Sequence, residues 1–156
     1  MAVEQGDVYF TVHRGPTSPK PHFCIVVNGG ADVTKRVVLS FASSQFETRL
    51  AIAKRNHYPK ETLVQVAPSQ YEAFDRFTVI DCNSVYVGDA DEFEAGLKAS
   101  HARKKRKLPQ AILERVIRGI HASPRATAEM KALIGPPPHP RTVSPSDLRA
   151  IKISVK

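Results

Sequence analysis

Two short apolar runs decide the fold: His22-Phe-Cys-Ile-Val-Val-Asn28 and Arg36-Val-Val-Leu-Ser-Phe-Ala-Ser-Ser44. Both are rich in β-branched and aromatic residues, a composition typical of buried β-strands. The pair Gly29-Gly30 between them predicts a turn, which would join the two strands antiparallel. Antiparallel pairing would bring His22, at the start of one strand, and Ser43, near the end of the other, to the same end of the sheet.

Further short strands are predicted on either side of this pair, over 8–13, 62–66, 77–82 and 84–87. A loop over 14–21 contains three prolines and a glycine, which exclude regular structure there. Several short strands with such connections are typical of a small barrel or sandwich.

The pattern changes to helices at residue 89. Segment 91–98 predicts a helix with acidic residues in its first turn, and 109–120 is an amphipathic helix that begins with proline. Ser123 is predicted as the N-cap of a last helix that stops at Gly135. The apolar face of 109–120 is one surface at which a partner protein could bind.

Three regions follow from these patterns. They are a β-barrel domain over 1–98, a basic linker with a two-helix extension over 99–135, and a proline-rich tail over 136–156. The predicted fold class is mainly β with C-terminal helices, α+β.

Composition restricts the function. The net charge of +8 over 156 residues favours a polyanion such as nucleic acid as partner. Cys24 and Cys82 lie in apolar segments without paired-ligand spacing, so we expect reduced buried thiols and no metal site. The apolar runs are too short for a membrane span, and no secretory signal is evident. We therefore expect a cytoplasmic protein without a cofactor.

Catalytic chemistry is one interpretation of the predicted strand ends. Cleavage of RNA through its own 2′-hydroxyl needs a base, an acid and a group that stabilises the charged phosphorane. His22 can move a proton, and Ser43 can bind a phosphate oxygen, although a hydroxyl residue also suits the end of a strand. Asp81, with Asn83 beside it, could orient a basic residue or cap a turn.

Basic residues supply the candidate RNA contacts. The run His101-Ala-Arg-Lys-Lys-Arg-Lys107 could contact phosphates or form a solvated linker. The RNA-contacting candidates are Arg14, Lys20, Ser44, Arg49, Arg103, Lys104, Lys105 and Arg106.

Four segments within 5–98 together carry a family resemblance: 5–10, 23–28, 37–44 and 77–87. They resemble the MazF/PemK family of toxin endoribonucleases, whose fold is an SH3-like small barrel. Gln5-Gly-Asp-Val-Tyr-Phe10 is similar to the opening strand of that family, and Phe23-Cys-Ile-Val-Val-Asn28 to its second strand. Val37-Val-Leu-Ser-Phe-Ala-Ser-Ser44 is similar to the strand that ends in Leu-Thr-Ser. Phe77-Thr-Val-Ile-Asp-Cys-Asn-Ser-Val-Tyr-Val87 is similar to the late strand with its aspartate.

The resemblance implies roles for individual residues. Ser43 falls on the catalytic Thr/Ser of the family, and Asp81 on the late-strand acid. His22 stands at the position of the catalytic arginine, with Lys20 two residues earlier. Three alternatives follow: His22 takes that role, Arg14 or Arg49 supplies the cation from a loop, or the site has lost cleavage.

The function implied by the resemblance is a toxin of a toxin–antitoxin system, a metal-independent endoribonuclease that cleaves single-stranded RNA. The expected partners are RNA, an antitoxin protein and a second copy of the chain. The alternative is a catalytically inactive module that binds nucleic acid or a partner protein. The helical region 99–135 lies outside the core of the family, so it would replace the dimer contacts, bind RNA or pack on the barrel.

Overall fold

Six strands and five helices make up the part of the chain that the computed structural model describes, residues 3–12 and 20–139. The strands are β1 (Val8–Thr11), β2 (His22–Val26), β3 (Arg36–Ser43), β4 (Leu63–Val66), β5 (Thr78–Asp89) and β6 (Arg103–Lys104). The helices are α1 (Ala31–Thr34), α2 (Phe46–Arg55), α3 (Ala90–Ala99), α4 (Gln110–Ala122) and α5 (Ala128–Ile134), with a 3-10 turn over Lys60–Thr62. The expectations for Arg14 and for the tail after residue 139 lie outside the described residues.

The strands pair antiparallel in one sheet of order β4-β5-β3-β2-β1-β6. The predicted α+β class is therefore confirmed, and within the described residues the outer strands β4 and β6 do not pair with each other. β2 and β3 pair as predicted, but α1 follows the glycine pair in their connection. Gly30 adopts the left-handed conformation with a φ of 70°, which costs glycine little.

A bulge interrupts β5, which was predicted as two separate strands. Ser40 pairs with Val85, whereas the next residue of β3, Phe41, pairs with Asp81. Three residues of β5, 82–84, therefore have no partner on β3. A bulge of this kind redirects side chains at the point where it occurs.

One face of the sheet is covered by α4. Its apolar side chains are buried with those of the sheet in a single cluster that includes Val8, Ile25, Ile80, Ile112, Leu113, Val116, Ile117 and Ile120. Burying each large apolar side chain is worth about 1.5–3 kcal/mol. This face of α4 is therefore part of the core and is not open to a partner protein, contrary to one sequence expectation. The division of the chain after residue 98 stays a prediction, although β6 and α4 both pack with the preceding strands.

Two smaller clusters lie on the opposite face. One includes Cys24 and Phe93 of α3, and the other includes Leu63 with α2. Cross-strand partners share a face of a sheet, and the row Cys24–Phe41–Asp81–Leu63 runs across four strands. Asp81 is thus a polar residue placed between two apolar clusters.

The last helix begins later than the sequence predicted. Thr127, not Ser123, caps α5, because its hydroxyl accepts a hydrogen bond from the Met130 amide at 3.2 Å. Ser123 instead follows the end of α4, and its hydroxyl donates to Asn83 Oδ1 at 2.7 Å. Both cysteines are buried free thiols, as expected.

Candidate active site

The first residue of β2 and the last residue of β3 lie at the same end of the sheet. Phe23 pairs with Ala42, so the next position outward places His22 beside Ser43. Side chains at opposed positions of antiparallel strands have Cβ atoms about 4.5–5.5 Å apart. The juxtaposition predicted from the two apolar runs is therefore present.

A cavity of about 370 Å³ opens at this end of the sheet, and we refer to it as the site cavity. It collects residues from β2, β3, α2, β5 and the segment that joins α4 to α5. The lining residues are His22, Phe41, Ala42, Ser43, Arg49, Asp81, Asn83, Ser84, Val85, Tyr86, Arg125 and Met130. All three predicted catalytic residues, His22, Ser43 and Asp81, are among them.

Arg49 enters the site cavity from α2. The sequence left open whether this residue lies on a short helix or on a loop, and the structure places it on a helix. Its Nη1 lies 3.7 Å from Asp81 Oδ2, close enough for an ion pair but long for a hydrogen bond. Its Nε is buried and has no hydrogen-bond partner among the described residues. Donor capacity of Arg49 is therefore left for a ligand in the cavity.

Within the described residues, the Asp81 carboxylate contacts Asn83 and Arg49. The sequence analysis offered two roles for Asp81, to cap a turn or to orient a basic residue, and each contact corresponds to one of them. Its Oδ1 accepts a hydrogen bond from the Asn83 amide at 2.9 Å, which caps the bulge. Its other oxygen faces Arg49. With a side chain only 9% exposed, the carboxylate holds Arg49 in a partly desolvated setting, where charge interactions are stronger than in water.

His22 is a neutral side chain in this setting. Burial lowers the pKa of its imidazole, and the charge of Arg49 lowers it further. Its Nε2 is buried without a hydrogen-bond partner in the described part of the chain. A histidine that lines a cavity and has a lowered pKa can accept a proton through its neutral imidazole, and this suits a general base.

Asn83 connects the site cavity to the rest of the molecule. Its amide nitrogen Nδ2 donates to Thr62 Oγ1 at 2.9 Å, while its Oδ1 accepts from Ser123. The Ser123 hydroxyl also accepts from the Arg125 amide at 3.1 Å. This network fixes the segment that carries Arg125 into the cavity.

Arg125 is a second cation of the site cavity that the sequence analysis missed. It also lines a neighbouring cavity of about 280 Å³, which shares Arg49, Asp81, Asn83 and Ser84 with the first. The Ser123-Pro124 pair predicts only the start of a helix. No local pattern predicts the hydrogen bond between Ser123 and Asn83, which lie 40 residues apart. Arg125 was therefore not identifiable by pattern.

Apart from Arg49, those predicted RNA-contacting residues that the structure describes lie outside the site cavity. Lys20 and Ser44 are exposed and stand next to its strands, two residues before His22 and one after Ser43. The basic run, residues 103–107, includes β6, which is separated from β2 by β1 and so lies about 10 Å away across the sheet. Their roles in RNA binding stay predictions.

Three cations of the basic run already have carboxylate partners. Lys104 Nζ lies 3.6 Å from Asp7 Oδ2. Arg106 pairs with Glu72, and Lys107 with Glu4. No local pattern indicates these pairs, because each partner is more than 30 residues away in the chain.

Two further findings concern the described residues only. They contain no group of three or more His, Cys, Asp or Glu side chains placed to hold a metal ion. None of their helices is long and apolar enough to cross a membrane.

The sheet, its covering helices and the cavity at the ends of β2 and β3 define an α+β protein with a polar site. No family model and no curated protein matches the chain. Among solved structures, it is similar to a chain of "Crystal structure of MazE-MazF (Form-III) from Deinococcus radiodurans". The TM-score is 0.51 at 10% identity, over 77% of this chain and 94% of that chain. Form-II of the same complex gives a TM-score of 0.49 at 11% identity, over 77% and 92%. The fold is thus MazF-like.

Proposed function

We propose that this chain is a toxin-type endoribonuclease that cleaves single-stranded RNA without a metal ion. The observation that carries the proposal is the site cavity, where His22, Ser43, Arg49 and Asp81 meet from four separate elements. These side chains match the requirements of RNA cleavage through the 2′-hydroxyl, and they lie in a MazF-like fold.

His22 is the proposed general base. Its Nε2 accepts the proton of the ribose 2′-hydroxyl, and the resulting oxygen attacks the adjacent phosphorus. The 5′-oxygen leaves and takes a proton from water, which gives a 2′,3′-cyclic phosphate and a 5′-hydroxyl. The lowered pKa of His22 supports this role, because the imidazole is already neutral and able to accept a proton near pH 7.

Arg49 is the proposed stabiliser of the phosphorane. Asp81 orients its guanidinium, and the unpartnered Nε is a donor for a phosphate oxygen. Ser43 is proposed to bind the same phosphate, although its Oγ also accepts a hydrogen bond from the Gln45 amide at 3.1 Å. Arg125 adds a second positive charge at the rim of the cavity.

The proposed regulator is an antitoxin protein. The similar solved structure is described as MazE-MazF, a name that pairs that protein with a partner. A second copy of this chain is a further proposed partner. Co-expression with an antitoxin would relieve growth arrest caused by the chain alone.

The alternative function is a catalytically inactive module that binds nucleic acid or a partner protein. The presence of His22 where the resembling family has arginine favours it, because neutral His22 cannot stabilise a phosphorane by charge. The variant His22→Arg distinguishes the two. It gains cleavage if the chain is an inactivated nuclease, and it loses cleavage if His22 is the base.

Incubation of the purified protein with single-stranded RNA in excess EDTA tests the proposal. The expected result is cleavage, together with growth arrest on overexpression. Folded protein that neither cleaves RNA nor arrests growth would overturn the endoribonuclease assignment.

A further inference from the structure

A second, larger cleft lies between α4 and the edge strand β4, and we refer to it as the α4 cleft. Its volume is about 760 Å³. The charged and titratable residues that line it are Lys60, Glu61, Arg115, Arg118 and His121. Three cations thus face one carboxylate in a cleft to which no function has yet been assigned.

The basic residues of the cleft are arranged by the helix. Arg115, Arg118 and His121 recur at every third position of α4, a spacing that places them along one side. That side is opposed to the apolar side chains that α4 buries in the core. The 3-10 turn with Lys60 closes the cleft from the other side, and α4 approaches it closely at Gly119. A Cβ added there would lie 2.6 Å from the Glu61 carbonyl oxygen.

Arg115 is half-buried beside the edge strand β4. Its Nη1 donates to the Gln65 carbonyl of β4 at 3.5 Å. Burial and the nearby charge of Arg118 both lower the pKa of Arg115, although an arginine keeps its proton. Two like charges held close together in a partly buried setting are stabilised when an anion binds between them.

The opposite wall of the cleft is fixed as well. His121 Nε2 lies 2.7 Å from the Gly135 carbonyl, and this contact holds the segment from which Pro137 lines the cleft. The cleft is therefore bounded by three parts of the chain, each tied by a specific contact.

One side chain joins the α4 cleft to the site cavity. Asn83 lines the site cavity and is hydrogen bonded to Thr62 and to Ser123. Thr62 lies between the cleft residues Glu61 and Leu63, and Ser123 directly follows the cleft residue Ala122. Hydrogen bonds of Asn83 thus connect the site cavity to two residues that are chain neighbours of the cleft lining.

We infer that the α4 cleft binds the sugar-phosphate backbone of single-stranded RNA that extends beyond the site cavity. This inference rests on the proposed function, since the bound strand is the substrate of that site. The guanidinium groups of Arg115 and Arg118 recognise phosphate oxygens, with Lys60 as a further point charge. Binding of this kind is independent of base sequence and depends strongly on salt.

Fluorescence anisotropy with two labelled probes tests the inference: a 12-nucleotide and a 3-nucleotide RNA, both 2′-O-methylated so that they cannot be cleaved. The variant is Lys60→Gln with Arg118→Gln. The matched control is Lys54→Gln with Arg55→Gln, which removes the same charge from exposed positions of α2 that line neither cavity. Circular dichroism establishes the fold of both, and Lys60→Gln alone, which removes one charge, serves as a milder variant in the cleft.

The cleft variant is expected to bind the long probe about tenfold more weakly than the control. The slope of log affinity against log salt should fall by about 1.4, for two lost phosphate contacts on a single strand. The short probe should bind equally to both. Equal affinity of the cleft variant and the control for the long probe would overturn the inference.

A labelled peptide of ten glutamates covers the competing ligand. If it binds the native protein and loses binding only in the cleft variant, while the long RNA does not, the cleft takes an acidic protein and the inference is wrong. Cleavage of unmodified RNA is measured separately. Its absence would contradict the proposed function, whereas the anisotropy result stands or falls without it.

Discussion

The site cavity and the basic run both carry cations that the sequence singled out, yet the structure places those cations in different electrostatic surroundings. In the site cavity, Arg49 has one carboxylate at 3.7 Å and a buried Nε without a partner in the described residues. In the basic run, Lys104, Arg106 and Lys107 each face an acidic residue of the same chain. Charge density along a sequence therefore does not measure the charge that is available to a ligand.

The ion pairs of the two regions also differ in solvent exposure. The carboxylate partner of Arg49 is nearly buried, whereas Arg106 and Glu72 have side chains that are 77% and 66% exposed. Exposed ion pairs are screened by water and salt, and they contribute little to binding or stability. Substitutions in the site cavity should therefore have far larger effects on function than those in the basic run.

The largest effect is expected for His22→Ala. Removal of a general base should lower kcat/KM for RNA by about 10²–10⁴-fold, because that is the usual contribution of such a group. Affinity for an uncleavable RNA should change little. His139→Ala, at an exposed position outside both cavities, is the control. Equal loss in the two variants would remove His22 from the mechanism.

The second-largest effect is expected for Arg49→Ala. Its kcat should fall by about 10²–10³-fold, the typical cost of removing one donor that stabilises a charged transition state. Arg49→Lys should recover only part of the activity, because lysine lacks the planar donor set. Arg55→Ala on the same helix is the matched control. Full activity of Arg49→Ala would show that another residue supplies the charge.

The effect of pH on kcat/KM should be smaller than the effects of these two substitutions. It should also have one direction, a fall on acidification. The pKa of His22 is lowered from its ordinary value of 6.5, first by burial and then by Arg49. The base is neutral at pH 7, and kcat/KM should fall only as the pH drops through the lowered pKa, below 6.5. The unfolded chain binds the proton more readily, so the His22 contribution to stability is complete above 6.5 and lost on acidification. A pH–rate profile with its acidic limb above 6.5 would contradict this account.

Arg106→Gln should have the smallest effect. Its guanidinium is paired with Glu72 and lies outside the site cavity, so affinity for RNA is expected to change less than about threefold. Reversal of every charge in the basic run should lower affinity more, through the overall field of the protein. If Arg106→Gln weakens RNA binding as much as the cleft variant Lys60→Gln with Arg118→Gln does, the basic run is a principal RNA surface.

Local patterns accounted for the parts of the site that depend on strands. His22 and Ser43 could be placed together because two apolar runs with a glycine turn pair antiparallel, whatever the details of the connection. Asp81 followed from its position after an apolar strand and from the resemblance to a family. Arg49 was one of the alternatives for the cation that the resemblance implies. The bulge at 82–84 was not predictable, since Asn83 within it donates a hydrogen bond to Thr62 and accepts one from Ser123, residues 21 and 40 positions away.

The same reason explains the errors after residue 98. Ser123-Pro124 has the local appearance of a helix start, but the tertiary bond to Asn83 decides the role of Ser123. Arg125 reaches the cavity only because that bond fixes its segment. The two residues of β6 belong to the basic run, and no local pattern predicts their pairing with β1.

The products formed from a matched pair of oligonucleotides test the central claim most directly. One is single-stranded RNA, and the other has the same sequence with 2′-O-methyl groups; both are incubated with the native protein in EDTA and analysed by mass spectrometry. The account predicts fragments of the first that end in a 2′,3′-cyclic phosphate and no cleavage of the second. Equal cleavage of both, or intact RNA after incubation with folded protein, would contradict it.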